Sequence, residues 1–329
     1  MACDLNLSED ERQILEAGAA MLEAHFPVSR KRGGARDRLS ELAGFGLFGL
    51  ALPNEDGGAG YGAVEEALLH VLLGRHVVST GALAAPLAVR LAAAAGRRDL
   101  AAAIAAGETG VCAALPSDAS LLLVERGGAS LALIFGEREL TLASLDDVET
   151  ADVAALGHGE PLQRVTGGRP SEVMRSSDEA LLAVADLLIS AQLLGGAEAA
   201  RDLAVEYAKV RQQFGQPIGG FQAIKHHCAD MAVAAEMASA QLDMAALALR
   251  DRPGEAAFQI AALRRLAEHA AFFNARTAVQ VHGGIGFSAE ADVHHYLKRA
   301  HLLSRLGKGA DMLAMSAPLS PHAVLPGGI

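Results

Sequence analysis

The sequence predicts a mainly α-helical protein with a small β domain in its middle, and three observations carry that prediction. Hydrophobic residues make up 51% of the 329-residue chain, aromatics only 4%, and Trp is absent. The core must therefore be built of Ala, Leu and Val, as in helices packed through small residues. Apolar positions recur at helical spacing before residue 107 and again after residue 176. Between them, from Thr109 onward, short apolar runs alternate with Gly-containing turns, which is a strand pattern.

The elements follow in order. Ser8-Glu9-Asp10-Glu11 is a capping box ahead of Ile14, Leu15, Gly18, Met21 and Leu22, whose spacing marks one face of an amphipathic helix. Further helices are expected at about Ala35–Gly44, Gly62–Leu73, Thr80–Ala95 and Arg98–Ala106. Leu121-Leu122-Leu123-Val124 and Leu131-Ala132-Leu133-Ile134-Phe135 flank Arg126-Gly127-Gly128-Ala129 as strand, turn and strand, with shorter extended pieces through Thr141, Val148 and Val165. A second capping box at Ser176-Ser177-Asp178-Glu179 opens a long helix to Val210. Helices at about Gln222–Arg250, Gly254–His282 and Ala289–Leu306 complete an antiparallel C-terminal four-helix bundle. A chain of this length exceeds one ordinary domain. The division read here is a helical domain over 1–107, a β domain over 108–175, the bundle over 176–315 and a flexible Pro-containing tail over 316–329.

A formal net charge of −11 argues against nucleic acid or an anionic membrane as partner, since either requires a basic stripe. The one basic cluster, Arg30-Lys31-Arg32 with Arg36 and Arg38, reads as a solvated loop. Cys3, Cys112 and Cys228 lie far apart without metal spacing, as in a reduced cytosolic protein. The start Met1-Ala2-Cys3-Asp4-Leu5 lacks the features of a signal peptide, and the apolar run Leu181 to Leu194 is interrupted or bounded by Asp186, Gln192 and Gly195. A cytoplasmic protein without a membrane span is expected.

Two segments carry the functional information. Arg211-Gln212-Gln213-Phe214-Gly215-Gln216-Pro217-Ile218 places a permanent cation, an aromatic ring and a Gly turn together at the end of the long helix. A guanidinium fork suits a pyrophosphate. Gln280-Val281-His282-Gly283-Gly284-Ile285-Gly286-Phe287 sets an amide side chain ahead of Gly283 and Gly284, where the missing Cβ lets backbone N–H groups approach a ligand. Read from the residues alone, Arg211 also suits a helix C-terminal cation and the Gly run a plain turn between helices.

Taken in order, these two segments, with Glu41-Leu42-Ala43-Gly44-Phe45-Gly46-Leu47-Phe48-Gly49-Leu50, Pro53 and Gly57-Gly58-Ala59-Gly60-Tyr61-Gly62, resemble the acyl-CoA dehydrogenase family over most of residues 5–110 and 180–305. The resemblance implies an acyl-CoA dehydrogenase-like fold and a role for Arg211, Phe214, Gln280, Gly283 and Gly284 in holding the ADP half of an FAD whose flavin lies in a neighbouring subunit. It also implies α,β-desaturation of an acyl-CoA thioester, with a carboxylate base removing the α-proton while flavin accepts the hydride. The family default for the electron acceptor is electron-transfer flavoprotein.

The family places its glutamate at one of two positions, which in this chain are Gly307 and Ala185, and neither can accept a proton. Asp186 is adjacent to the second, but one residue along a helix rotates a side chain by about 100°. Glu290 and Asp292, just after the Gly run, are the other substitute bases, and both also suit the first turn of the next helix. The family's flavin-facing segment is reduced to Ala114-Leu115-Pro116-Ser117-Asp118, with no Trp anywhere. The chain thus resembles the non-catalytic subunit of bacterial α2β2 acyl-CoA dehydrogenases, among them those acting on steroid side chains. A catalytic acyl-CoA dehydrogenase subunit is then the expected partner. A self-sufficient homodimer and a flavin-free scaffold remain the alternatives.

Other patterns are weaker. Gly44-Phe45-Gly46-Leu47-Phe48-Gly49 spells a dinucleotide fingerprint but follows a helix and lacks a βαβ unit. His282-Gly283-Gly284-Ile285-Gly286 is similar to an esterase oxyanion loop without any nucleophile elbow. The adjacent pairs His226-His227 and His294-His295 should diverge by about 100° on a helix and not chelate jointly.

Overall fold

The computed structural model describes residues 8–33, 37–117, 120–153 and 161–307, so Asp118, Arg36 and the tail assigned to 316–329 lie outside the described residues. Five helices come first: α1 Glu9–His25, α2 Leu39–Gly44, α3 Ala63–Arg75, α4 Gly81–Ala94 and α5 Arg98–Ala105. The capping box at the start of α1 is present: the Glu11 N–H donates to Ser8 Oγ at 3.2 Å, and the Ser8 N–H donates to Glu11 Oε2 at 2.6 Å. The α2 helix starts later than its apolar pattern suggested, after Arg38.

A single seven-stranded sheet follows: β1 Val111–Ser117, β2 Ser120–Val124, β3 Leu131–Phe135, β4 Leu140–Ser144, β5 Glu149–Val153, β6 Leu162–Gly167 and β7 Ser171–Ser176. Its order is β5-β6-β2-β1-β3-β4-β7. The two strands expected to form a simple strand-turn-strand unit, β2 and β3, do not pair. Instead β1 lies between them, antiparallel to β2 with Ala113 opposite Val124 and parallel to β3 with Ala113 opposite Leu133. The run Val111–Ala114, buried throughout, belongs at the sheet centre.

The C-terminal part consists of α6 Glu179–Val210, a small hairpin of β8 Gln212–Gln213 and β9 Gln216–Pro217, then α7 Gln222–Asp251, α8 Pro253–His282 and α9 Val293–Leu303. Asp178 alone caps α6, accepting from the Ala180 N–H at 3.1 Å, in place of the expected capping box. Pro253 opens α8 at a position where its missing N–H costs nothing. Asn274 ties the bundle together: its Nδ2 donates to the carbonyls of Ala197 on α6 and Met231 on α7, each at 3.0 Å. The α6 and α8 helices run in the same direction, with Asp186 beside Arg264, Ala197 beside Asn274 and Tyr207 beside His282. By length and composition both α6 and α7 could cross a membrane, but 78% of the apolar α6 window is buried within this molecule, as in a core helix.

Glycine lets α3 and α6 cross with their backbones in contact. A Cβ on Gly74 of α3 would overlap the Gln192 carbonyl, and one on Gly195 of α6 would overlap that of Val71. No residue with a side chain fits either position.

The basic cluster near residue 31 is not a solvated loop. Lys31 is only 3% exposed, and its Nζ lies 3.3 Å from Glu125 Oε1 and 3.5 Å from Asp37 Oδ2. Arg30 donates to Asp37 Oδ1 at 2.5 Å, and Arg32 grips both Asp292 oxygens at 2.7 and 2.8 Å. Glu125, just past β2 with φ +48°, also meets Arg299 of α9 at 3.4 Å and the Thr80 N–H at 2.8 Å. This ion cluster joins the N-terminal helices, the sheet and α9. The counter-charges come from remote positions, which is why local composition misread it. The rings of His294 and His295 also differ from expectation. Their centroids lie 4.2 Å apart, because rotamers can fold neighbouring side chains together despite the helical step.

Candidate functional site

The far ends of α6 and α8 bring the two sequence segments together. The Tyr207 ring, one turn before the end of α6, stacks on that of His282 at 4.3 Å and 20°. His282 Nδ1 lies 2.7 Å from the Ala278 carbonyl, and burial lowers the affinity of this imidazole for a proton. Arg211–Gly215 and Gln280–Gly284 therefore flank one stacked pair.

Arg211 ends α6 in extended conformation, its N–H donating to the Tyr207 carbonyl at 2.9 Å. Among the described residues its side chain has no hydrogen bond or ion pair, and it is exposed. Phe214 (φ +51°) and Gly215 (φ +79°) form the turn between β8 and β9. Both positions being left-handed, the turn has the hand that suits a two-residue hairpin. It holds the Phe214 ring 92% exposed, with only an edge contact to Phe221 at 6.0 Å.

On the α8 side, Gln280, Gly283 and Gly284 are exposed. Gly283, at φ +64° and ψ −143°, breaks the helix, and its N–H turns back to the Gln280 and Val279 carbonyls. That N–H therefore caps α8, whereas the Gly pair was expected to offer its N–H groups outward. A Cβ at Gly283 or Gly284 would find no atom within 4 Å, so the surface beside them is open. Both helices direct C-terminal ends here, and their dipoles disfavour an anion. The exposed Arg211 guanidinium is the cation of the two motifs that could offset this. An unpaired guanidinium, an unpacked ring and an open Gly surface fit the phosphates and adenine of a nucleotide.

The opposite region of α6 is filled. Ala185 is 1% exposed, and Gly307, with φ +74°, packs over α6 so that a Cβ on it would overlap Asp186 Oδ1. Asp186 is 7% exposed and lies 3.6 Å from Nη1 of Arg264, a fully buried residue of α8. Arg264 also donates through Nη2 to the carbonyls of Leu303 and Leu306 at 3.1 and 2.9 Å, and through Nε to Glu268 at 2.7 Å. It thereby caps the end of α9 from outside that helix.

The three substitute carboxylates thus have separate environments. Asp292 is committed to Arg32, Glu290 is exposed with its backbone N–H bound to Ser288 Oγ, and Asp186 is buried against Arg264. They do not converge on one site. Arg264 escaped the sequence reading, although one signal was available. It falls on the apolar stripe Ile260, Leu263, Ala267, Ala271, where a charge must have a buried partner.

Comparisons with known proteins match both helical parts of the chain. Residues 8–108 match the model of the acyl-CoA dehydrogenase N-terminal domain, and residues 176–316 that of the C-terminal domain. The acyl-CoA dehydrogenase FadE34 of Mycobacterium tuberculosis is 36% identical over 274 residues, 79% of this chain. This chain spans only 38% of FadE34's length. The acyl-CoA dehydrogenase IpdE2 of the same organism is 31% identical over 303 residues, 89% of this chain and 91% of that protein. The ChsE4-ChsE5 complex of M. tuberculosis superposes with a TM-score of 0.77 at 22% identity, covering 92% of this chain and 94% of that one. At that identity the likeness shows the fold alone.

Proposed function

The chain belongs to the acyl-CoA dehydrogenase family, and from that premise we propose that it is the FAD-supporting, base-lacking subunit of a heteromeric acyl-CoA dehydrogenase. The family's reaction is oxidation of a CH–CH bond in an acyl-CoA thioester, and its cofactor is FAD, which supplies the hydride-accepting chemistry when bound. In this chain Arg211 would hold the phosphates, Phe214 the adenine face, and Gln280 with Gly284 the remaining polar edge of the ADP half. Gly283 shapes that edge by ending α8. The acyl group is a fatty or steroid side-chain thioester on this reading, the acceptor is electron-transfer flavoprotein, and the compartment is the cytoplasm. The partner is a catalytic acyl-CoA dehydrogenase chain in an α2β2 assembly.

One observation carries the proposal: Arg211, Phe214, Gln280, Gly283 and Gly284 are all exposed while Ala185 and Gly307 offer no carboxylate. The two regions lie at opposite ends of α6. From Asp186 to Arg211, at 1.5 Å per residue, they are about 37 Å apart along the helix. They therefore belong to two different half-sites, and a chain can keep one after losing the other. A paired assembly with a chain that supplies the carboxylate then has one complete site per pair.

Co-expression with a neighbouring acyl-CoA dehydrogenase chain that carries the glutamate should yield a yellow complex with one FAD per pair. In that complex Arg211→Ala should weaken FAD retention by about tenfold or more, the worth of a charge-assisted phosphate contact. Turnover of an acyl-CoA by the purified chain alone would overturn the proposal.

A further inference from the structure

Position 307 is closed as well as lacking a carboxylate. Arg264 holds the carbonyls at the end of α9, and this fixes Gly307 against α6 with a left-handed backbone. A side chain starting there would run into Asp186 Oδ1, and its Cβ would stand 3.0 Å from Ile189 Cδ1. Asp186 and Ile189 are three residues apart on α6 and so form one face. Arg264 faces the same carboxylate from α8 at 3.6 Å.

We infer that Asp186, held by Arg264, occupies the side-chain space of position 307 and acts as a positioning counter-ion, so that this subunit's own half-site is sealed against α-proton removal. The inference rests on the base-lacking reading above and gives it a physical cause. Glycine at 307 is favoured twice over, by a left-handed backbone that strains any side chain and by the carboxylate that already fills the space, so a glutamate restored there alone meets both. Asp186 is then excluded as a relocated base, since its carboxylate points at a guanidinium and a helix end within the protein.

Two measurements test this. The first uses the chain alone and needs neither FAD nor a partner: Gly307→Ala is made in the native, Asp186→Asn and Asp186→Ala backgrounds, and Tm is read for each. Asn keeps the size of Asp and Ala removes it. Gly307→Ala should lower Tm by about 5 °C or more in the native and Asn backgrounds, and by measurably less in the Ala background, where the left-handed strain and the Ile189 contact remain but the clash with residue 186 is gone. Equal losses in all three would overturn the inference while leaving the heteromer reading intact. The second follows flavin bleaching by acyl-CoA in the complex. Asp186→Asn should leave the rate within about twofold, whereas a loss of about a hundredfold, the scale of a missing general base, would make Asp186 the base and overturn the inference. Failure to form any FAD-containing complex would instead count against the proposed function, with the Tm series still deciding the packing.

Discussion

Arg299 and Arg211 carry the same guanidinium, and the molecule treats them in opposite ways. Arg299 is 3% exposed at the junction of three parts of the chain, facing Glu125, with Lys31 and the Thr80 N–H on the same carboxylate. Arg211 stands exposed at the end of a 32-residue helix with no counter-charge among the described residues. Where the chain supplies its own counter-ions, charge holds domains together. Where it leaves a cation and a bare Phe214 ring facing outward, charge contributes nothing to holding the chain together and is open to a ligand.

The sharpest way to break the contrast is at the junction. Glu125→Gln should cost about 3–5 kcal/mol at pH 7, because Lys31 and Arg299 lose their shared anion. Burial pushes the Glu125 carboxyl up, but Arg299, Lys31 and the Thr80 N–H outweigh it and bring it down to about 2, against an ordinary 4.5. The folded value lies below the unfolded one, so this stabilisation is complete above pH 4.5 and disappears as pH falls from there toward 2. Urea titrations at several pH values should show an acid limb in the native protein that flattens in the variant.

A smaller effect is expected at the proposed nucleotide corner. Gly283→Ala meets no neighbouring atom, so its cost is purely conformational, about 1–3 kcal/mol for a φ/ψ pair that is almost confined to glycine. Thermal denaturation of the isolated chain measures it. The smallest effect on stability belongs to Phe214→Ala, within about 0.5 kcal/mol because the ring packs on almost nothing. If the same substitution also left FAD retention in the complex unchanged, the outward-facing ring would have lost its proposed purpose.

Local signals in the sequence translated well into structure. The α4 helix was expected at Thr80–Ala95 and lies at Gly81–Ala94, because helical period and helix ends are written in neighbouring residues. The insertion of β1 between β2 and β3 was invisible, since strand order depends on which partner buries Val111–Ala114 and not on the turn that joins two runs. The ion cluster was misread for a related reason. Lys31 finds Glu125 94 residues away, and Arg32 finds Asp292 260 residues away. At the candidate site, Arg211, Phe214 and Gln280 stood out as parts of motifs, and their side chains are exposed in the fold. The closed corner was half legible: the missing carboxylates at Ala185 and Gly307 could be read, while the Asp186–Arg264 contact that fills the space could not. It is set by the parallel course of α6 and α8, which no single segment encodes.

The junction at Glu125 also orders events in time. Its carboxylate emerges from the ribosome 174 residues ahead of Arg299. At roughly 5–20 residues per second, that is a wait of about 10–35 s before the second cation is made. Throughout that interval the carboxylate has Lys31 and the Thr80 N–H but not its second cation, so this ionic junction is completed only once α9 is translated. The apolar core shared by α4 and the sheet needs nothing from α9.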